Sequence, residues 1–431
     1  MAGTYSCAAI GMLTAFGGAI GTPAAAQDIS RTDSVTSREN ARVEDTSLQL
    51  GAFLVNPELT ATGVYDDNVF ATKDDRRGDT YVQLRPEVTA QSTWDRNSLN
   101  LNAYYERDFH ATYPGEDTTN YGVLADGRYD VSHQTRLYAT VDAERTAEQR
   151  GSLSSFFNAA QPVEYNSITL TGAGEQEFGN LKLRAEGRYR RLSYADAVLA
   201  NGDTLNQSFR NFGVVDETLQ AGYNLNTLTQ FLIRGTLEQR RYDRRRGDPG
   251  FDPLTQLDRS GNSSRLEVGV VRELTALLYG TVRIGYLSFR YPDPKLRDVS
   301  ALSYYGDLKW NITPLTTINA TAVRQVDETV SPVTAGNLRD QFTLKVDHEL
   351  LPALIVSASG RYASIHPSVV DSDTTAISAD SQEEELELEA RYYIGRHLRV
   401  TGHYDHQSRS SANKFIAYSA NLISVGLNYQ F

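Results

Sequence analysis

The sequence predicts an all-β fold, a transmembrane antiparallel β-barrel of about eighteen strands, with sixteen strands as the alternative. Three observations predict it: long alternating segments from Glu58 onward, connectors that are short and long in turn, and an alternating segment that ends at Phe431. After residue 26 there is no apolar run of about eighteen residues, the length that a membrane-spanning helix requires. Strands rather than helices are therefore expected to cross the membrane.

The segment from 181 to 190 shows the alternation. Its two sets of positions are Leu181, Leu183, Ala185, Gly187 and Tyr189 against Lys182, Arg184, Glu186, Arg188 and Arg190. Successive side chains of a strand point to opposite faces, so this segment has one apolar and one charged face. Segments this long exceed the five or six residues usual in soluble sheets and match tilted membrane strands. In such a barrel the apolar face meets lipid and the polar face lines the lumen.

The connectors between the alternating segments fall into two classes. Eight short ones lie at 95–96, 132–133, 179–180, 225–227, 274–275, 312–314, 351–352 and 395–396. Nine long ones lie at 71–79, 110–118, 147–164, 195–210, 243–261, 292–300, 328–336, 367–381 and 408–417. Short periplasmic turns and longer outer loops are typical of outer-membrane barrels. One loop more than the number of turns places both chain ends in the periplasm and gives eighteen strands.

The N-terminal region predicts export. Residues 1–26 form a predicted signal peptide, with an apolar stretch from Ala8 to Ile20 and a small-residue cleavage pattern at Ala24-Ala25-Ala26, although they contain no Lys or Arg. Residues 27–50 are polar without periodicity and are interpreted as a flexible periplasmic tail, and 51–431 as the barrel. Cys7 is the only cysteine, so the mature chain is expected to form no disulfide. The net charge of -12 argues against a nucleic-acid partner.

Charged residues recur on the predicted lumen face. The candidates for lining the lumen are Arg136, Arg184, Arg188, Arg190, Arg234, Arg240, Arg283, Arg361, Arg391, Arg399, Glu186, Glu238 and Glu387. One interpretation is a charged conduit that guides an anionic polymer or solute. The other is a network of ion pairs that stabilises a water-lined wall, which the mixed signs favour. The two interpretations are partly compatible.

Tyrosine residues suggest further sites on both faces of the predicted barrel. Tyr104, Tyr138 and Tyr279 fall on the predicted lumen face, where tyrosine rings could stack against sugars, although tyrosine is also common in strands. A second set alternates with lipid-facing residues and is assigned to interfacial girdles: Tyr189, Tyr286, Tyr362, Tyr392, Tyr404 and Tyr429.

Metal binding and catalysis are not expected. The acidic clusters at 66–68 and 74–75 could bind calcium, but they lack EF-hand spacing, and a strand end entering a solvated loop explains them. The seven histidines are scattered, and no nucleophile motif or phosphate-binding glycine loop occurs. Neither an enzymatic activity, a metal nor a cofactor is expected.

The last segment carries the most specific signal. Counting back from the terminus, Phe431, Tyr429, Leu427, Val425 and Ile423 occupy one face. A terminal Phe preceded by alternating apolar residues resembles the signal by which the barrel-assembly machinery recognises its substrates. Outer-membrane lipid and that machinery are therefore expected partners.

A short motif near the end of the first segment points to a family. The residues from Tyr65 to Phe70 read Tyr-Asp-Asp-Asn-Val-Phe. This piece, with the architecture of residues 50–431, resembles the putative β-barrel porins of the second type, which often accompany exopolysaccharide gene clusters. The resemblance implies an outer-membrane location and a role in polysaccharide export with periplasmic export components as partners, and it carries over no catalytic residues.

The sequence therefore predicts a passive outer-membrane conduit, and the resemblance implies that it exports an exopolysaccharide. A general diffusion porin for small solutes is one alternative. A plugged structural or adhesion barrel that acts through its outer loops is another, and the loops at 147–164 and 243–261 are long enough to fold inward.

Deletion of Phe431 is expected to impair barrel assembly without changing export of the precursor, because the residue belongs to the predicted assembly signal and not to the signal peptide. Heat-modifiable barrel in outer-membrane fractions measures the effect, and precursor processing is the control. Normal barrel levels after the deletion would contradict the assigned role of the terminus.

Overall fold

Eighteen long antiparallel strands form the protein in the computed structural model. The structure describes residues 34–35, 47–153, 155, 159–249, 251–252, 257–275, 277–327, 334–369 and 379–431. The first barrel strands are β2 (Phe53–Asp66), β3 (Asp79–Ser92), β4 (Ser98–His110), β5 (Thr119–Asp130), β6 (Thr135–Ala147), β7 (Glu164–Phe178) and β8 (Leu181–Tyr194). The others are β11 (Phe212–Asn226), β12 (Thr229–Tyr242), β13 (Gly261–Thr275), β14 (Leu278–Arg290), β15 (Val299–Thr313), β16 (Thr316–Asp327), β17 (Thr334–Leu351), β18 (Leu354–Val369), β19 (Ser381–Ile394), β20 (Leu398–Ser411) and β21 (Tyr418–Gln430).

Three short strands and two 3-10 turns complete the described elements. Strand β1 (Leu48–Leu50) pairs with the start of β2, and β9 (Ala197–Val198) pairs with β10 (Thr204–Leu205) inside one outer loop. The 3-10 turns lie at Pro114–Glu116 and Ser208–Arg210. Among the described residues, no helix has the length and apolar character needed to span a membrane.

The sheet closes on itself. Each barrel strand pairs with its neighbours along the chain, and β2 pairs with β21 from Glu58–Gln430 to Asp66–Leu422. Closure matters because no water is present in the lipid core to satisfy free backbone N–H and C=O groups, so a spanning sheet can have no edge. The prediction of an eighteen-stranded transmembrane barrel is confirmed.

The predicted turns and loops are also found, with small shifts. Four turns lie one or two residues later than predicted, because β11, β13, β15 and β17 each end in a β-bulge. The bulged segments carry an exposed apolar residue, namely Leu225, Leu274, Ile312 and Leu350. The extra residue in the bulge breaks the alternation before the strand has ended.

Two chemically different faces result from the alternation. Large apolar side chains are exposed on one face of most barrel strands, as at Ile284 in β14 and Leu388 in β19. On the other face, side chains reach strands that are two positions apart: the Ser303 hydroxyl in β15 donates to Glu267 in β13 at 2.6 Å. Such contacts form on the concave side of a curved sheet, so the charged face is the lumen face.

The sheet begins before the predicted barrel boundary at residue 51. Leu48–Leu50 form β1 by pairing with Phe53–Val55 across a tight turn in which Gly51 has a positive φ of 63°. Strand β2 pairs with β21 only from Glu58 onward, and β1 pairs with the part of β2 that precedes this residue. The end of the predicted tail therefore belongs to the sheet. The predicted signal peptide at 1–26 lies outside the described residues.

Replacement of Ile284 by Arg is expected to destabilise the barrel by about 2–4 kcal/mol, the cost of a cation on the lipid face near mid-membrane. The matched control is Thr281→Arg, three residues earlier on the lumen face, where water can solvate the guanidinium. Urea unfolding of each variant in lipid vesicles, monitored by heat modifiability, measures the two free energies of unfolding. Equal destabilisation by the two variants would contradict the assignment of the faces.

Candidate functional site: the lumen wall and its outer mouth

The lumen wall is charged. All thirteen predicted lumen residues lie on barrel strands, on the face opposite the exposed apolar side chains. Cross-strand pairs align several of them in one row, which runs Arg136–Glu175–Arg184–Gln220–Arg234–Glu267 across β6 to β13. Directly opposed residues in a sheet share a face, so the row crosses six of the eighteen strands of the wall.

Many of these charges pair with one another. Glu175 lies 3.2 Å from Arg136 and 2.7 Å from Lys182, and Arg188 contacts Asp216 at 2.6 Å. Other pairs within the set of candidates or with their neighbours are Arg184–Glu186, Arg240–Glu238, Arg283–Glu267, Arg361–Glu385 and Arg391–Glu389. The geometry supports the ion-pair network, which can stabilise the wall without excluding a role in transport.

A second charged cluster lies near the outer end of the opposite wall. Glu383 accepts hydrogen bonds from Arg339 and Arg409, and Arg339 also pairs with Asp327. All four side chains are largely buried. The predicted set did not include Glu383, Arg339 or Arg409, which lie next to outer loops at the ends of their strands.

Three arginine–tyrosine stacks lie along the lumen wall below its outer end, and a further one, Arg409–Tyr418, belongs to the cluster around Glu383. The guanidinium carbon lies 4.2 Å from the ring centre in Arg85–Tyr104, 5.0 Å in Arg184–Tyr138 and 3.9 Å in Arg283–Tyr305. Tyr104 and Tyr138 therefore lie where the sequence predicted, each beside an arginine. Sequence reasoning did not identify Arg85, which precedes Pro86, or Tyr305, which follows another tyrosine, because both sequences obscure the alternation. Tyr279 lies on the lumen face near the periplasmic end of β14.

The first residues of the outer loop after β6, Glu148 to Gly151, fold over the mouth of the barrel. Glu148 pairs with the buried Arg210, and Arg150 makes two hydrogen bonds to Glu116, at 2.6 and 2.8 Å. Beyond these anchors, the Gly151 carbonyl accepts a hydrogen bond from Arg409 in β20. Five strands separate β6 from β20 around the ring. The contact therefore spans the mouth.

Apolar residues occupy the lumen face next to the mouth. Phe212, Val214 and Tyr242 are buried and pack together with Leu192. Leu287 and Phe289 form a second cluster with Val326, flanked by Tyr291, Val299 and Leu338. A water-filled lumen would leave these positions wet, so their burial shows that the outer end is packed. The signal in the sequence was the appearance of apolar residues at lumen positions of β8, β11 and β14.

The Tyr-Asp-Asp-Asn-Val-Phe motif joins the first strand to the last. Asp67 accepts hydrogen bonds from the backbone and side-chain amides of Asn421, at 2.8 and 2.7 Å, and pairs with Arg76 at 2.6 Å. The Asn68 side chain donates to the carbonyls of Thr72 and Ser419, at 2.7 and 2.9 Å. The motif thus fastens the outer end of the β2–β21 seam.

Similar contacts account for acidic residues of the clusters at 66–68 and 74–75. Asp66 accepts the Asn68 amide, and Asp75 pairs with Arg77. Within the described ranges, no group of three or more His, Cys, Asp or Glu residues is arranged to hold a metal ion. The acidic residues of the motif act on the protein's own backbone and side chains.

Comparison with known proteins identifies the family. The model of the family described as Putative beta-barrel porin 2 matches residues 43–431. The chain belongs to this family. Together with the closed barrel and its apolar outer surface, membership places this porin-like barrel in the outer membrane.

Solved structures of other outer-membrane proteins are similar to this porin-like barrel. The copper transporter OprC has 12% sequence identity and a TM-score of 0.49, with 89% of this chain and 82% of that chain covered. The siderophore receptor PirA from Acinetobacter baumannii has 8% identity and a TM-score of 0.46, covering 88% and 80%. OccK3 (OpdO) from Pseudomonas aeruginosa has 14% identity and a TM-score of 0.42, covering 88% and 95%. The search of curated proteins gave no match.

The seam is expected to weaken in acid through Asp67, which lies in the loop beyond β2. Partial burial raises the pKa of its carboxyl, but hydrogen bonds from Asn421 and the contact with Arg76 outweigh burial and hold the pKa below its usual value. A carboxyl with a lowered folded-state pKa stabilises the fold above its unfolded pKa, about 3.9. That contribution is lost as the pH falls through the lower folded-state value.

Asp67→Asn is therefore expected to lower stability at pH 7 by about 1–2 kcal/mol, the worth of a hydrogen bond to a charged group, and its deficit is expected to shrink below about pH 4. Thermal unfolding of both proteins across this range measures the difference. Asp75→Asn, an exposed pair in the same loop, is the control with little expected effect. A deficit that stays constant down to low pH would refute this role of the carboxylate.

Proposed function

We propose that this porin-like barrel is an outer-membrane conduit for export of an anionic exopolysaccharide. The observation that supports the proposal most is the series of arginine–tyrosine stacks on the lumen wall, at Tyr104, Tyr138 and Tyr305. Tyrosine rings present apolar faces and a hydroxyl, which suit the C–H surfaces and hydroxyls of sugars. Arginine binds carboxylates with paired N–H donors.

The stacks combine both chemistries in one place. A guanidinium held against a ring and by a carboxylate, as Arg283 is by Tyr305 and Glu267, has already lost much of its rotational freedom. Less entropy is then lost when it binds a charged sugar. The pairing of most wall charges keeps each contact weak, as a conduit requires, because a polymer must also leave each site.

The packed outer mouth disfavours the general diffusion porin. Open diffusion of small solutes requires a continuous wet path, whereas the loop from Glu148 to Gly151 and the apolar clusters around Phe212 and Phe289 occupy the outer end. Export through this barrel would require the loop to move. The same packing favours a second candidate, a structural or adhesion barrel that acts through its outer loops.

We expect the barrel to act with other components of the cell envelope. No enzymatic step, cofactor or nucleic-acid partner is expected. Its partners are outer-membrane lipid, the barrel-assembly machinery and periplasmic polysaccharide-export components, which would supply the driving force. Export of the precursor would depend on a cleaved signal peptide at residues 1–26.

Single-channel conductance in a planar bilayer tests the proposal. We expect steps that are blocked by an oligogalacturonate and not by a neutral oligosaccharide of the same length, because only the former offers carboxylates to the stacked arginines. Steps indifferent to both sugars would favour a general porin. No steps from a heat-modifiable barrel would favour the plugged structural barrel.

A charge-preserving variant sharpens the result. Arg184→Lys combined with Arg283→Lys retains the positive charges but loses the planar, paired donors. The variant is expected to shorten the blocked dwell time several-fold. Arg246→Lys, in an outer loop, is the matched control and should leave the dwell time unchanged. Equal dwell times in the wild type and the double variant would exclude the stacks as the sugar-binding sites.

A further inference from the structure

Two residues from the N-terminal part of the chain lie inside the barrel. Ser34 and Val35 are only 3% and 1% exposed. The Val35 amide donates a hydrogen bond to the Thr317 hydroxyl at 3.2 Å, a contact between residues 282 positions apart in sequence. Thr317 lies on the lumen face of β16, one residue after that strand begins at its periplasmic turn.

The wall around Thr317 forms a continuous polar row. Cross-strand pairing aligns Asn311, Thr317, Asp347 and Ser357 on β15 to β18. Thr317 donates to Asn311 at 3.0 Å, and Ser357 donates to Asp347 at 2.6 Å. The side chains therefore satisfy one another, and the Thr317 oxygen is also available to accept the Val35 amide.

The burial of this row indicates that it is covered. Thr317 and Asp347 are each 1% exposed, whereas Thr321, four residues further along the same face, remains partly accessible. The lumen face beside the row also carries Ile355, an apolar residue at 1% exposure. An apolar side chain buried on a water-lined wall requires a cover, and Val35 is an apolar residue that its bond to Thr317 holds against this part of the wall.

The N-terminal region has a second attachment on a different part of the wall. Strand β1 pairs with β2, and the Ser47 hydroxyl donates to Asn56 at 2.6 Å. Five strands separate β2 from β16 around the ring. The two attachments of one N-terminal region therefore lie far apart at the periplasmic end of the lumen.

From this geometry we propose that the lumen wall at β15 to β18 is a docking site for the chain's own N-terminal segment, seated through Ser34 and Val35. Release of Ser34 and Val35 from this site would expose the row from Asn311 to Ser357. This docking does not depend on the polysaccharide proposal, because it is a contact within the chain. Cargo of any kind would encounter it.

Cysteine cross-linking in the membrane-inserted full chain tests the docking. The predicted mature chain has no cysteine, so Val35→Cys with Thr317→Cys introduces a single pair. Mild oxidation is expected to link the two residues, with the linked peptides detected by mass spectrometry. Val35→Cys with Thr321→Cys is the matched control, because Thr321 lies about 13 Å further along the strand, beyond disulfide reach. Failure of the first pair to link, or equal linking of both pairs, would overturn the proposal.

Accessibility of the wall gives a readout that does not depend on the linked pair. Ser357→Cys is expected to react slowly with a membrane-impermeant thiol reagent added from the periplasmic side. Deletion of residues 28–46 should raise its labelling rate several-fold, while heat modifiability reports that the barrel is still folded. An unchanged labelling rate in a folded barrel would show that the N-terminal segment does not cover the site.

Discussion

Closure of the sheet is the constraint on which the rest of the structure depends. In a bilayer a free strand edge would leave a row of backbone donors and acceptors without partners, at a cost of several kcal/mol for each group. The chain meets this requirement by pairing β2 with β21, which are more than 350 residues apart in sequence. The Asp67–Asn421 contacts and the hydrogen bond from the Phe431 amide to Pro57 fasten the two ends of this seam. The Tyr-Asp-Asp-Asn-Val-Phe motif therefore contributes to closing the barrel.

Because the wall is closed, its inner face is a separate chemical environment. Eighteen strands enclose a lumen too wide for wall side chains alone to fill, and the polar side chains that line it satisfy one another through ion pairs such as Arg188–Asp216 and Arg339–Glu383. Stacked arginines such as Arg283 combine this structural pairing with a surface suited to charged sugars. Under the proposed function, recognition of a charged sugar would use the same residues that stabilise the wall.

The two ends of the lumen are occupied by different means. At the outer end, the loop anchored by Glu148 and Arg150 reaches Arg409 on the far side, above apolar clusters. At the periplasmic end, Val35 binds Thr317. Transport would depend on displacing the polar contacts and apolar packing at the outer end and the Val35 contact at the periplasmic end.

The sequence by itself determined the barrel, the strand number, the two faces and the places of the thirteen charged residues, because the period of two is a local property of each strand. It also placed Tyr104 and Tyr138 on the lumen face. The tertiary structure alone decided the partners of those residues, since Arg184 and Asp216 meet other strands only after the register is fixed. It also decided the inward course of Glu148 to Gly151 and the burial of Val35, which depend on contacts between residues hundreds of positions apart. Alternation encodes which way a side chain points, but not what lies opposite it once the wall has closed.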